Sequence, residues 1–142
     1  MENKLIWLDL EMTGLDPNSE RIIEIFTAVT DENLTEIIEG PDLVIKQPNE
    51  ILDQMDEWNQ EHHKKSGLID EVKRSVITQE DAEAMTLDFL SQHVGKNVSP
   101  LCGNTVWHDR KFLTLYMPQL EDYFHYRVID VSSVKELSLI HI

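Results

Sequence analysis

The run KLIWLDLE (residues 4–11) starts apolar and then alternates, Leu8 and Leu10 against Asp9 and Glu11, which predicts a strand. TGLDPNSE behind it carries turn chemistry in Gly14 and Pro17. RIIEIFTAVT (21–30), rich in β-branched and aromatic residues, reads as a second strand antiparallel to the first. After the turn DEN (31–33), LTEIIEG and DLVIKQ predict a third strand broken at Gly40 and Pro41. From Asn49 the period lengthens: Ile51, Leu52, Met55 and Trp58 fall on one stripe of a helix over 49–63. Thr78, with Asp81 three residues on, opens a second helix whose stripe is Ala82, Met85, Phe89 and Val94 and whose stop is Gly95. VSPLCGN (98–104) is a short buried strand, 107–117 a helix and RVIDV (127–131) a strand, and Ser133 with Glu136 starts one more helix. Three strands followed by helices alternating with single strands predict an α/β domain on a mixed sheet.

A chain of 142 residues makes one domain, and 41% hydrophobic with 27% charged residues suits a globular protein. The net charge of -15 narrows the function. A groove for long nucleic acid needs a basic face, and here the basic residues come only as His62-His63-Lys64-Lys65, Lys73-Arg74, Arg110-Lys111 and Arg127. A short anionic ligand held through metal ions remains compatible with an acidic site. The single cysteine, Cys102, forms no internal disulfide and points to a reducing compartment. The N-terminal MENKLIWLDL has no basic flank and its apolar run is cut by Asp9, so it reads as neither signal peptide nor membrane span. A cytoplasmic location follows, with an organellar form as the alternative if a presequence is missing.

Asp9 and Glu11 share one face of their strand, where two like charges repel and burial raises the cost of ionising them. A divalent cation relieves both; a solvated strand edge explains the pair equally well. In GNTVWHDRKFLTLYM, Asp109 begins a series with Phe112, Leu113, Tyr116 and Met117 at helical spacing, which places it on the stripe facing the sheet. An inward acid near a helix start serves as a cap in many proteins. Together with the strand pair it offers three oxygen ligands for Mg²⁺ or Mn²⁺. Trp58 fits the apolar face of its helix as well as it fits a stacking platform. Trp7 and Trp107 are assigned to packing, His62-His63-Lys64-Lys65 to a solvated helix end, with a zinc or phosphate patch as the alternative, and Cys102 to a small buried hydrophobe. His93, His108 and His125 lack a second ligand at helical spacing.

WLDLEMTGLDP, MDEWN, SGL, CGNTVWHDRKFL, YMPQLEDYFHYR and IDVSSVKEL together resemble the oligoribonucleases, small-RNA 3′-to-5′ exonucleases of the DEDD superfamily. The likeness runs from residue 4 to about 136 and implies an RNase H-like mixed sheet flanked by helices. It implies that Asp9, Glu11 and Asp109 are catalytic, metal-binding acids for two divalent cations, Mg²⁺ or Mn²⁺. It implies that Leu15 and Trp58, with Met12 beside them, sandwich the bases of a very short RNA. Thr105, where relatives often carry Ser, is placed near the substrate's 3′ end. Tyr126, Arg127, Ser132 and Ser133 fall in the segment that contacts the terminal phosphate, partly across a homodimer interface. Stacking of this kind reads no sequence, and a cap on the 5′ phosphate favours dinucleotides.

The family pattern continues with a general-base His and, five residues later, a fourth metal-binding Asp. Here His141 is the sole candidate base, and no Asp follows it. The last six residues, LSLIHI, can be encoded CTGTCTCTTATACACATC, the transposase end sequence of sequencing-library adapters. Residues 1–136 are therefore expected to be an incomplete exonuclease domain missing its last helices, and 137–142 a non-native tail. On this reading the chain turns over little. The alternative is a non-catalytic, nucleotide-binding or dimerising short isoform.

Overall fold

The computed structural model describes residues 3–140. Strands β1 (Lys4–Met12), β2 (Ile22–Asp31) and β3 (Ile37–Val44) form an antiparallel meander. Helices α1 (Asn49–Asp53), α2 (Glu57–Lys65), α3 (Leu68–Arg74) and α4 (Gln79–Ser91) lead to strand β4 (Leu101–Gly103), which pairs parallel with β1. Helices α5 (Val106–Tyr116) and α6 (Pro118–Glu121) connect it to β5 (Val128–Asp130), parallel to β4, and α7 (Val131–Ile140) follows. The sheet order is β3-β2-β1-β4-β5, so the expected mixed sheet is present with β1 at its centre.

The two faces of the sheet are covered unequally. Leu8, Leu10, Ile25 and Leu43 meet Leu90 of α4, Phe112 and Leu113 of α5 and Leu120 of α6 in the main core. The opposite face carries a smaller cluster of Ile23, Leu52, Met55, Leu68 and Val72 beneath α1–α3. Ile22 and Ile23 are both fully buried because successive strand residues point to opposite faces and each face has its own cluster. The β1–β2 register shifts between Glu11 and Met12, where Ile23 is the extra residue of a bulge in β2.

Several features depart from the expectations. The stripe over 49–63 is two helices, because Asp56 stops the first and caps the second, accepting from Asn59 N at 2.7 Å. Helix α3 has too short a periodic signal to be read ahead of time; it starts after Gly67, whose φ of 80° suits glycine. Strand β3 begins at Ile37 and is continuous, and the irregularity expected at Gly40 and Pro41 takes the form of a register shift there, where the two residues stand opposite Thr27. Helix α7 starts at Val131, ahead of Ser133, because the Asp130 carboxylate accepts from Ser132 N and from both serine hydroxyls. The predicted capping box at Thr78 and Asp81 is present in both directions, but Met85 on the same helix is 44% exposed rather than part of the core stripe.

No helix among the described residues is long and apolar enough to cross a membrane. None of the described residues of α7 is buried; Val134, Leu137, Leu139 and Ile140 all face solvent. His141 and Ile142 lie outside the described residues.

Candidate active site

The acids meet at the place where β1 outruns its neighbour. Strand β4 pairs with β1 only at Ile6 and Trp7. Gly103 then passes so close that a Cβ would lie 2.7 Å from the Leu8 carbonyl oxygen, and the chain leaves the sheet. The free edge of β1 beyond Leu8 is closed by the first turn of α5, which carries Asp109. Thr105, at the turn, has φ 53°, a left-handed conformation that costs a β-branched residue free energy. It is held there by its N–H, which donates to Asp130 Oδ1 at 2.6 Å, and by hydroxyl contact with Ser132 Oγ at 3.1 Å.

Asp109 is buried, as its place on the apolar stripe predicted. Desolvation, then the neighbouring charge of Asp9, push its carboxyl up to about 7; Glu11 and Asp130 add to the rise, and the Leu10 N–H opposes it. Asp9 still reaches solvent, yet loss of surrounding water, then repulsion from Asp42, raise it too. In the next row of the same face Glu11 pairs with Glu24, which is raised to about 8 by desolvation, then by a side-chain hydrogen bond to Asp42 and that residue's charge. Asp130 moves the other way: burial disfavours its charge, but the hydrogen bonds from Ser133, Ser132 and Thr105 prevail and lower it. A group of carboxyls this strained as anions is a donor set suited to a hard divalent cation.

Beside Glu11 opens a cleft of about 430 Å³. It is lined by Leu10, Glu11 and Met12 of β1, by Gly14 and Leu15 of the loop after it, and by Asp56, Trp58, Asn59, His62 and His63 of α2 and its cap. Leu15 is 79% exposed and Trp58 67% exposed, so neither is spent on the core. Packing of Trp58 into the apolar face of its helix, one of the two readings open from sequence, is therefore excluded. Its ring instead stacks on His62 at 4.8 Å and 10°.

The basic helix end is not simply solvated. His63 is only 2% exposed, and its Nε2 lies 2.9 Å from the carbonyl oxygen of Met12, to which it donates. His108 does the same for Leu15: Nε2 donates to the Leu15 carbonyl at 2.7 Å. Two imidazoles, from α2 and α5, thus hold residues 12–15 from two sides. Neither contact is visible in the sequence, where His63 belongs to a basic helix end and His108 lacks a second ligand at helical spacing. Trp107 is not packed either; it is 49% exposed, with the Lys111 ammonium 4.8 Å from its ring centre.

The predicted site residues form three groups. Glu11, Met12, Leu15 and Trp58 line the cleft, with Asp9 and Asp109 electrostatically coupled to Glu11's end of it. Thr105, Ser132 and Ser133 gather around Asp130, their hydrogen bonds turned inward. Tyr126 and Arg127 stand apart at the start of β5, exposed, with the guanidinium 5.6 Å from the Tyr126 ring. Among the described residues, the three potential ligands that converge within 4.8 Å of one another are Glu11, His62 and His63.

Comparison with known proteins gives the same picture from another direction. The RNase T exonuclease family model matches residues 6–141. The oligoribonuclease of Shewanella loihica is 59% identical over 136 residues, covering 96% of this chain and 75% of that protein. The oligoribonuclease of Bordetella pertussis is 56% identical over 137 residues, covering 96% and 76%. Exonuclease I of E. coli, solved in complex with a 5cy-dA13 oligonucleotide, superposes with a TM-score of 0.56 at 16% identity, over 96% of this chain and 30% of that one. That last likeness concerns the fold, in which the mixed sheet and its flanking helices recur.

Proposed function

This chain belongs to the RNase T exonucleases and, within them, to the oligoribonucleases, and from that premise we propose that its site acts on dinucleotides and other very short RNAs, releasing mononucleotides from the 3′ end. The observation that carries the proposal is the cleft lined together by exposed Leu15, exposed Trp58 and Glu11. A cleft of this size takes one or two stacked bases, and stacking on a tryptophan accepts any base. The charge of -15 argues against a long-polymer track and for a ligand held locally.

Asp9, Glu11 and Asp109 would hold two divalent cations, Mg²⁺ or Mn²⁺. The fit rests on the chemistry of the donors, three carboxyls on adjoining elements whose ionisation is disfavoured until positive charge arrives. When bound, such ions lower the pKa of a coordinated water and stabilise the leaving 3′ oxygen. The chain's own residues have other tasks. Leu15 and Trp58 orient the bases, and Met12 backs them. Asp130 keeps Thr105 in place near the 3′ end of the substrate, and holds Ser132 and Ser133 in the segment assigned to the terminal phosphate. Tyr126 and Arg127, remote from the cleft of their own chain, suit a terminal phosphate bound at the cleft of a second copy. A homodimer is part of the proposal, supported by the exposed apolar residues of β5 and α7, Val128, Ile129, Val131 and Val134. So is a cytoplasmic setting, supported by the lone buried Cys102. We assign no described histidine as general base.

The test is binding of 5′-phosphorylated dinucleotides and 20-nucleotide RNA to the metal-loaded chain, with mononucleotide release followed in parallel. Preference for the dinucleotide, weakened in Trp58→Ala and Leu15→Ala, is expected. Equal affinity for both lengths, unchanged by either substitution, would overturn the proposal.

A further inference from the structure

We infer that the cleft contains a second kind of cation site, for a borderline transition ion of the zinc class, formed by Glu11, His62 and His63. Their ligand atoms lie within 4.8 Å of one another, from two elements that meet only in the folded chain. Two imidazoles and a carboxylate with an open fourth position form a donor set for Zn²⁺ or Co²⁺, whereas Mg²⁺ takes oxygen ligands.

Each ligand is positioned by a separate contact. His63 is buried, and the Met12 carbonyl accepts its N–H, so one ring nitrogen keeps its lone pair. That hydrogen bond is the outer partner which ligating histidines ordinarily have. His62 is exposed, with its ring parallel to Trp58 at 4.8 Å. Glu11 precedes the register shift at the end of β1 and lines the same cleft. A tetrahedral zinc spaces its donors about 3.3 Å apart, given Zn–N and Zn–O bonds of roughly 2.0–2.1 Å. Closing the set therefore needs rotation of His62 and Glu11 toward the fixed His63.

Glu11 belongs to this set and to the proposed Asp9–Glu11–Asp109 set, so a zinc-class ion withdraws an acid from the catalytic site and crosses the floor of the cleft. Zinc is thus an antagonist of the hard cation. This consequence rests on the exonuclease reading; the binding site itself does not.

The experiment is calorimetric titration of the untagged, metal-free chain with ZnCl₂ in excess Mg²⁺, repeated with Co²⁺ while the visible spectrum is followed. One Zn²⁺ per chain and a Co²⁺ absorption band in the visible are expected. His62→Ala should weaken Zn²⁺ at least tenfold, and Asp9→Asn should leave it bound. His62 is exposed, so that variant keeps its fold, which circular dichroism verifies. Unchanged Zn²⁺ affinity in His62→Ala overturns the site, as does Zn²⁺ binding lost in Asp9→Asn and kept in His62→Ala. Dinucleotide binding in Mg²⁺ alone reports separately on the exonuclease reading.

Discussion

His108 donates from Nε2 to the backbone carbonyl of Leu15 at 2.7 Å. The loop that presents a wedge to the cleft is thereby tied to the helix that presents Asp109, one residue further along. The Leu15 loop and α5 are thus joined by one hydrogen bond, which can be cut at His108 without changing Leu15 or Asp109.

His108→Ala should leave the fold intact, because the ring is only half-buried, and should loosen Leu15. A net neutral hydrogen bond contributes about 1 kcal/mol, so dinucleotide affinity should fall about fivefold. Titration of a fluorescent dinucleotide measures it. His108→Ala added to Leu15→Ala should then cost little more, since both act on the same wedge.

Trp58→Ala removes a stacking surface that the core does not use. Stacking of one base is worth about 1–3 kcal/mol, which predicts a loss of about 5- to 150-fold in affinity with a melting temperature close to the parent's. Phe112→Ala, in the main core, should do the reverse and cost about 3–5 kcal/mol of stability. Paired binding and thermal-melt measurements separate the two.

The acids predict an unusual pH dependence for the metal-free chain. Asp109 is raised from 3.8 to about 7 and Glu24 from 4.5 to about 8, so each stays protonated in the folded state where the unfolded chain has already ionised. Their contribution to stability is present in full below about pH 4 and is lost as pH rises through about 7 and 8. Asp130 is lowered, so its contribution is lost toward low pH instead. Melting temperature in a chelator should therefore decline from pH 5 to pH 8. Asp109→Asn should flatten that decline, and excess Mg²⁺ should reverse it in the parent alone.

Gly103→Ala tests the geometry that exposes the edge of β1. The new methyl would sit 2.7 Å from the Leu8 carbonyl and 3.0 Å from Val106, both on fixed elements. Overpacking of this kind costs about 1–3 kcal/mol. Urea unfolding should show the loss, and the dinucleotide titration should show a weaker site even where the chain is fully folded.

Several features were legible because their cause is local. Alternation along β1 put Asp9 and Glu11 on one face, helical period put Asp109 on the buried stripe of α5, and the Thr78–Asp81 pairing announced α4. Even there a cap could override a stripe: Asp56 divides what the spacing of Ile51, Leu52, Met55 and Trp58 joins. Long matching runs identified the family, at a level that spacing alone leaves open. The sequence by itself therefore determined the strands, the helical faces and the chemistry available. Tertiary structure decided that Trp58 stands in solvent on the same cleft as Leu15, that His63 and His108 clamp residues 12–15, and that Glu11 meets His62 and His63. Periodicity arises from a residue's own turn or pleat. A side chain that donates to a backbone carbonyl far away in sequence leaves no such mark, since every residue offers the same carbonyl and only the packed chain selects one.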